Sequence, residues 1–246
     1  MAGRSFFLRE TIDSLLSAKW ISTYLLVPPI LALLVFIESY LNQVGIAGPF
    51  AVGERITLAL WNASLLLTLI AGVQSSVFFS GSFGSNWFRN SLALPVPRWT
   101  GYWGSFLGFL VIVTGVFALT ISAIVAALRS PTQFPWLESL LVVYVPLLWG
   151  VSAGLLLGIL TTAGAAVFLF VGIMTVGLAG GLPWALARVP EWAGRLFRVL
   201  VPPLGSALSA NMSSPGNIRA LVPLLAHAAV ALALGYLLYS VGIKRR

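Results

Sequence analysis

Six long apolar segments divide the 246-residue chain and constrain its fold more than any other feature. A helix needs about 20 mainly apolar residues to cross a membrane. A helix also satisfies its own backbone hydrogen bonds where water is absent. The sequence therefore predicts an all-α integral membrane protein with one transmembrane domain over residues 1–246. The six predicted spans are Ser22–Tyr40, Ile56–Ser80, Gly101–Leu128, Trp136–Thr161, Thr162–Ala187 and Ala220–Ile243.

The composition agrees with a membrane protein. Only 8% of the residues are charged and 59% are hydrophobic, whereas a soluble domain carries about 25% charged residues. The net charge of +8 comes from basic residues scattered at the ends of apolar segments. This pattern favours lipid headgroups over nucleic acid as the partner. The absence of cysteine excludes disulfides and thiol chemistry.

The basic residues also predict how the chain crosses the membrane. Lys and Arg accumulate on the cytoplasmic side, and the basic N-terminus and the C-terminal Lys244–Arg246 run favour both termini inside. We therefore expect a multi-pass protein of the bacterial cytoplasmic (inner) membrane. Residues 1–20 then form an amphipathic interfacial helix. Residues 188–219 form a long outer loop whose SANMSSPGN stretch is rich in turn formers.

The side-chain clusters of ATP and metal chemistry are missing from the sequence. Its lysines, Lys19 and Lys244, do not follow a glycine-rich turn, so the chain has no phosphate-binding loop. One histidine, His227, and six scattered acids predict neither a metal site nor a carboxylate relay. We expect no cofactor in this chain.

One catalytic pattern is present. GVSAG at Gly150–Gly154 matches the serine-nucleophile pattern G-x-S-x-G. With Ser152 on the fourth span and His227 on the sixth, a six-span intramembrane serine protease is an alternative function. Rhomboid proteases share that placement but have glycine directly after the serine, where this chain has Ala153.

The glycines of this region also support a structural interpretation. Small residues every fourth position form a groove for a neighbouring helix. The predicted helix-packing positions are Gly104, Gly108, Gly150, Gly154 and Gly158. A chance match in a glycine-rich apolar chain is the alternative.

A polar stripe follows the second span at intervals of three, four and seven residues. It consists of Thr57, Trp61, Ser64, Thr68 and Ser75. These spacings place the five side chains on one helix face. Such a face can line a substrate path or meet another subunit, or its hydroxyls can bond to carbonyls of their own helix.

The segment between the second and third spans combines prolines, arginines and tryptophans. Residues 84–95 predict a short amphipathic helix on the cytoplasmic side that Pro95 and Pro97 end. Trp99, Tyr102 and Trp103 then predict re-entry through the headgroup belt.

The sequence LALPVPRWTGYWGSFLG at Leu92–Gly108 resembles a signature of the type-2 ATP-binding-cassette (ABC) exporter permeases. The matching positions are Leu94, Pro95, Val96, Arg98, Gly104 and Gly108. Pro97 replaces the family's serine and Ser105 its lysine, and the preceding SGSFGSN lacks the family's acidic residue.

The resemblance implies a division of labour. Two copies of a separate ATPase subunit would bind ATP and Mg, and a second permease chain, identical or paralogous, would complete the pore. This chain itself would not be an enzyme. Residues 84–95 would be the coupling helix, and Val201–Asn211 resembles the family's outer re-entrant segment. The implied ATPase-coupling residues are Trp87, Phe88, Arg89, Leu92, Leu94, Pro95 and Arg98. A non-catalytic membrane scaffold is a further alternative.

Overall fold

A computed structural model describes residues 52–84, 98–128, 136–179, 201–213 and 217–244, together with residues 29, 30, 33, 37, 190 and 192. All regular elements in these ranges are helices, so the prediction of an all-helical protein is confirmed. The elements are α1 (Val52–Gly84), α2 (Arg98–Leu128), α3 (Trp136–Leu160), α4 (Ala163–Leu178), α5 (Leu204–Ser213), a 3-10 turn (Ile218–Leu221) and α6 (Val222–Lys244).

Within the described ranges, three helical stretches are long and apolar enough to cross a membrane. They are Thr57–Ser80 in α1, Trp99–Ala123 in α2 and Ile218–Val241, which includes most of α6. Tyr144–Leu160 in α3 and all of α4 are shorter apolar helices. The count of six spans stays a prediction, because most of the first predicted span and the interfacial helix lie outside the described residues.

The helices α1 and α3 form the centre of the bundle. They pack more extensively against each other than any other pair does. The helices α2 and α4 also contact α1, and α6 covers another side of α3. Large side chains from these helices are fully buried in the core, among them Leu60, Leu67, Phe109, Leu147, Leu155 and Phe170.

The connection between α3 and α4 is only two residues long. Thr161 donates both its backbone N–H and its hydroxyl to Leu157 O, at 3.0 and 2.9 Å. Thr162 is extended, and its carbonyl accepts the Ala166 N–H at 2.8 Å. These bonds occupy backbone groups that a helix end leaves unpaired, so the chain reverses without a loop.

The helix α5 corrects one expectation from the sequence. SANMSSPGN predicts turns, but α5 continues through Ser213 and packs against α4, α1 and the 3-10 turn. Asn211 explains the difference because its buried amide has partners at both ends. Its Nδ2 donates to Ala207 O, and its Oδ1 accepts the Asn217 N–H, each at 3.0 Å. One side chain thus links α5 to the start of the last membrane helix.

We expect Asn211→Ala to lower the free energy of unfolding by about 1–3 kcal/mol, because it leaves the Asn217 N–H without its acceptor. Unfolding in mild detergent, followed by circular dichroism, measures the change. Ser206→Ala is the matched control on α5, since it removes an exposed hydroxyl that bonds only to Pro203 O and is expected to change stability by less than about 0.5 kcal/mol. Equal losses in both variants would contradict the proposed role of Asn211.

Candidate functional site

The predicted polar stripe of α1 lies inside the chain. All five of its side chains, Thr57, Trp61, Ser64, Thr68 and Ser75, are 0–3% exposed. Two of them, Thr68 and Ser75, lie directly against α3. A substrate path lined by this stripe would therefore require α1 and α3 to separate.

Three glycines of α3 form the other side of this contact, which we call the α1–α3 seam. A methyl group added to Gly150 would lie 2.7 Å from Thr68 Cγ2, and one added to Gly158 would lie 2.5 Å from Ser76 O. A methyl group on Gly154 would overlap Ser75 Oγ and Gly72 O. The two backbones approach this closely only because no Cβ stands between them.

The helix α4 joins the seam through Phe170. Its fully buried ring lies over Gly72, where an added methyl group would overlap the ring atoms. The ring also stacks on Trp149 of α3, with centroids 5.4 Å apart and an interplanar angle of 22°. Gly72 of α1 is thus in close contact with both α3 and α4.

The hydroxyl of Ser75 bonds mainly within its own helix and not across the seam. Ser75 Oγ donates to Gly72 O of its own helix at 3.1 Å and reaches Val151 O of α3 only at 3.4 Å. Trp61 Nε1 and Thr68 Oγ1 are buried and have no hydrogen-bond partner among the described residues. Each unpaired buried donor costs about 1–3 kcal/mol, so close packing must offset that cost.

The serine of the protease alternative is engaged within its own helix. Ser152 is fully buried, and its hydroxyl donates to Leu148 O at 2.6 Å. This is the i−4 bond that hydroxyl side chains commonly make in membrane helices. His227 lies half-buried on α6. In this arrangement the Ser152 proton is directed to a carbonyl oxygen and not to a general base.

An aromatic cluster that the sequence pattern did not reveal lies near the end of α1 and the start of α2. It consists of Phe79 from α1, Tyr102 and Trp103 from α2, and Tyr236 and Tyr239 from α6. The Tyr102 side chain is fully buried among the helices, while its depth in the membrane stays a prediction. The Tyr102 hydroxyl donates a hydrogen bond to Leu232 O of α6 at 3.1 Å.

The geometry of the cluster explains how Tyr102 reaches α6. A methyl group on Gly235 would overlap the Tyr102 hydroxyl, so this glycine leaves the space that the phenol occupies. The Tyr102 ring centroid lies 6.0 Å from that of Phe79 and 5.7 Å from that of Tyr239. The cluster therefore ties together the ends of α1 and α2 that residues 85–97 connect, and joins them to α6.

The predicted coupling residues lie mostly outside the described residues. This holds for Trp87, Phe88, Arg89, Leu92, Leu94 and Pro95. Arg98 is the first residue of α2, and its side chain also lies outside the description. Further along the signature, Gly104 and Gly108 are buried. Ser105, at the family's lysine position, is 2% exposed.

The described residues contain no group of three or more His, Asp or Glu side chains that could hold a metal ion. No protein-family model and no curated protein matches this chain.

We expect Gly154→Ala to destabilise the protein by about 1–3 kcal/mol, because the new methyl group would overlap backbone and side-chain atoms of α1. Gly172→Ala in α4 is the matched control. A methyl group there meets nothing within 4 Å, and alanine favours the helix by about 1 kcal/mol. Unfolding in detergent measures both changes. A Gly154→Ala protein as stable as the Gly172→Ala protein would exclude the close seam.

A fluorophosphonate probe is expected to leave Ser152 unlabelled, because its hydroxyl is buried and donates to Leu148 O. Labelling of the purified protein, read by mass spectrometry beside a known serine hydrolase, measures this. Wild-type labelling that disappears in both Ser152→Ala and His227→Ala would instead support the protease alternative.

Proposed function

We propose that this chain is the transmembrane permease subunit of an ATP-driven ABC exporter of the type-2 class. The observation that carries the proposal is the Leu92–Gly108 signature, which crosses the start of α2 and contains the buried Tyr102. ATP hydrolysis, with its Mg, belongs to two copies of a separate ATPase subunit. This chain supplies no catalytic group.

The aromatic cluster supplies a contact through which movement of residues 85–97 can reach α1, α2 and α6. Residues 85–97 join α1 to α2, and the cluster clamps those two helix ends to α6. A rigid contact of this kind transmits displacement because packed interiors deform little. Movement of an ATPase against residues 85–97 would therefore shift α1, α2 and α6 together.

The α1–α3 seam limits where cargo can pass. Separating α1 from α3 would break the contacts at Gly150, Gly154 and Gly158. It would also disturb the contact between Phe170 and Gly72. We therefore place the path between two permease chains and not through the seam of one chain. The polar stripe then supports helix packing instead of lining the path.

Affinity purification tests the proposal. The tagged chain is solubilised gently from its native host, and co-purifying proteins are identified by mass spectrometry. An ATPase with a phosphate-binding loop is expected with the wild type. The paired change Arg89→Glu with Pro95→Ala is expected to reduce its recovery by about tenfold or more, since disrupting an interfacial charge pair costs about 2–5 kcal/mol.

The matched control is Arg219→Glu, which reverses an exposed arginine in the predicted outer loop. This control is expected to retain the ATPase. If no ATPase is recovered with the wild type in several mild detergents, the exporter proposal fails. Equal recovery with all three proteins would exclude residues 85–97 as the docking segment.

A further inference from the structure

Asn62 is the one exposed side chain among the 24 residues of the α1 span, Thr57–Ser80. Every other side chain of that span is buried or partly buried by the rest of the chain. The side chain that α1 exposes within its apolar span is thus a polar amide and not an apolar group. No hydrogen bond joins the Asn62 side chain to the residues that the structure describes.

The depth of Asn62 makes this exposure costly. Asn62 lies five residues inside the apolar span that begins at Thr57, which is about 7 Å along a helix. An amide at that depth does not face hydrocarbon without a partner, because lipid chains offer no hydrogen bonds.

The surroundings of Asn62 identify the kind of partner. Leu66, Leu69 and Val73 follow it at four, seven and eleven residues and lie on the same face. All three carry no charge and pack partly against the core of their own chain, which leaves part of each side chain accessible. A matching surface must therefore be apolar with one group that both donates and accepts a hydrogen bond. The face of α1 has that property itself, since an amide is its own complement.

We propose that this face of α1 meets the same face of a second copy of the chain, with Asn62 hydrogen-bonded to Asn62 of the partner subunit. A two-fold axis brings the same patch of both subunits together. With Asn62 close to that axis, the amide of each chain lies opposite its own copy and the two satisfy each other. Amide side chains hydrogen-bond between helices within membranes in this way. The inference deepens the proposed function, because it names the second permease chain as identical and assigns its contact to α1.

Disulfide cross-linking tests the pairing directly, since the chain has no native cysteine. Asn62→Cys is oxidised in native membranes with copper phenanthroline, and dimers are separated on a non-reducing gel. A cross-linked dimer is expected, because a disulfide needs Cα atoms within about 7 Å. Leu69→Cys, on the same face, is expected to cross-link as well, which guards against misfolding of one variant.

Leu119→Cys is the matched control. Leu119 is 59% exposed on α2 and lies four residues inside the end of its apolar span at Ala123, at a depth comparable to that of Asn62. This variant is expected to remain monomeric after oxidation. Asn62→Leu is expected to lower the dimer fraction in detergent about threefold, the factor that matches a typical interhelical hydrogen bond in a membrane, whereas Asn62→Gln retains the dimer.

Two outcomes would overturn the pairing. If Asn62→Cys gives no dimer and reacts with a membrane-impermeant thiol reagent, Asn62 faces a water-filled path. If it gives no dimer and does not react, it faces lipid or a different protein. Cross-linking without any co-purifying ATPase would reject the exporter function and keep the α1 pairing. Recovery of an ATPase without a cross-linked dimer would reject the α1 pairing and keep the exporter function.

Discussion

The close approach of α1 and α3 at Gly72 and Gly154 is the contact on which the rest of the structure depends. Lipid is as apolar as the helix surfaces, so membrane helices associate through close packing and not through the hydrophobic effect. Missing Cβ atoms let the two backbones meet. Phe170 then packs onto Gly72 and brings in α4. The polar stripe becomes buried because it shares the face that carries these contacts.

The aromatic cluster has a different physical basis. Large rings from three helices contact one another at centroid separations of about 6 Å, a favoured distance for aromatic pairs. The buried phenol of Tyr102 adds a hydrogen bond to α6. The cluster thus joins helix ends next to residues 85–97. The glycine seam reaches this cluster, since a methyl group on Gly158 would lie 3.0 Å from Phe79 Cβ.

Periodicity predicted the helices well and side-chain environments poorly. Apolar segments of about 20 residues indicate helices whatever their neighbours are, and the described helices agree with the all-helical prediction. The glycine spacing of α3 indicated a close contact but not which helix would occupy it. The sequence predicts a headgroup depth for Tyr102, because aromatic residues near span ends favour that position, but it does not predict that the ring is buried between helices. Its burial depends on Gly235, 133 residues further along the chain.

The sequence by itself determined that this protein is a bundle of apolar helices, because backbone hydrogen bonding in hydrocarbon leaves few alternatives. It also determined the small-residue spacing and the signature between α1 and α2. Only the tertiary structure decided which faces are covered. It buried the polar stripe and Tyr102 and left Asn62 exposed, because burial depends on which helices become neighbours. That choice depends on contacts between residues far apart in the chain, which local periodicity does not encode.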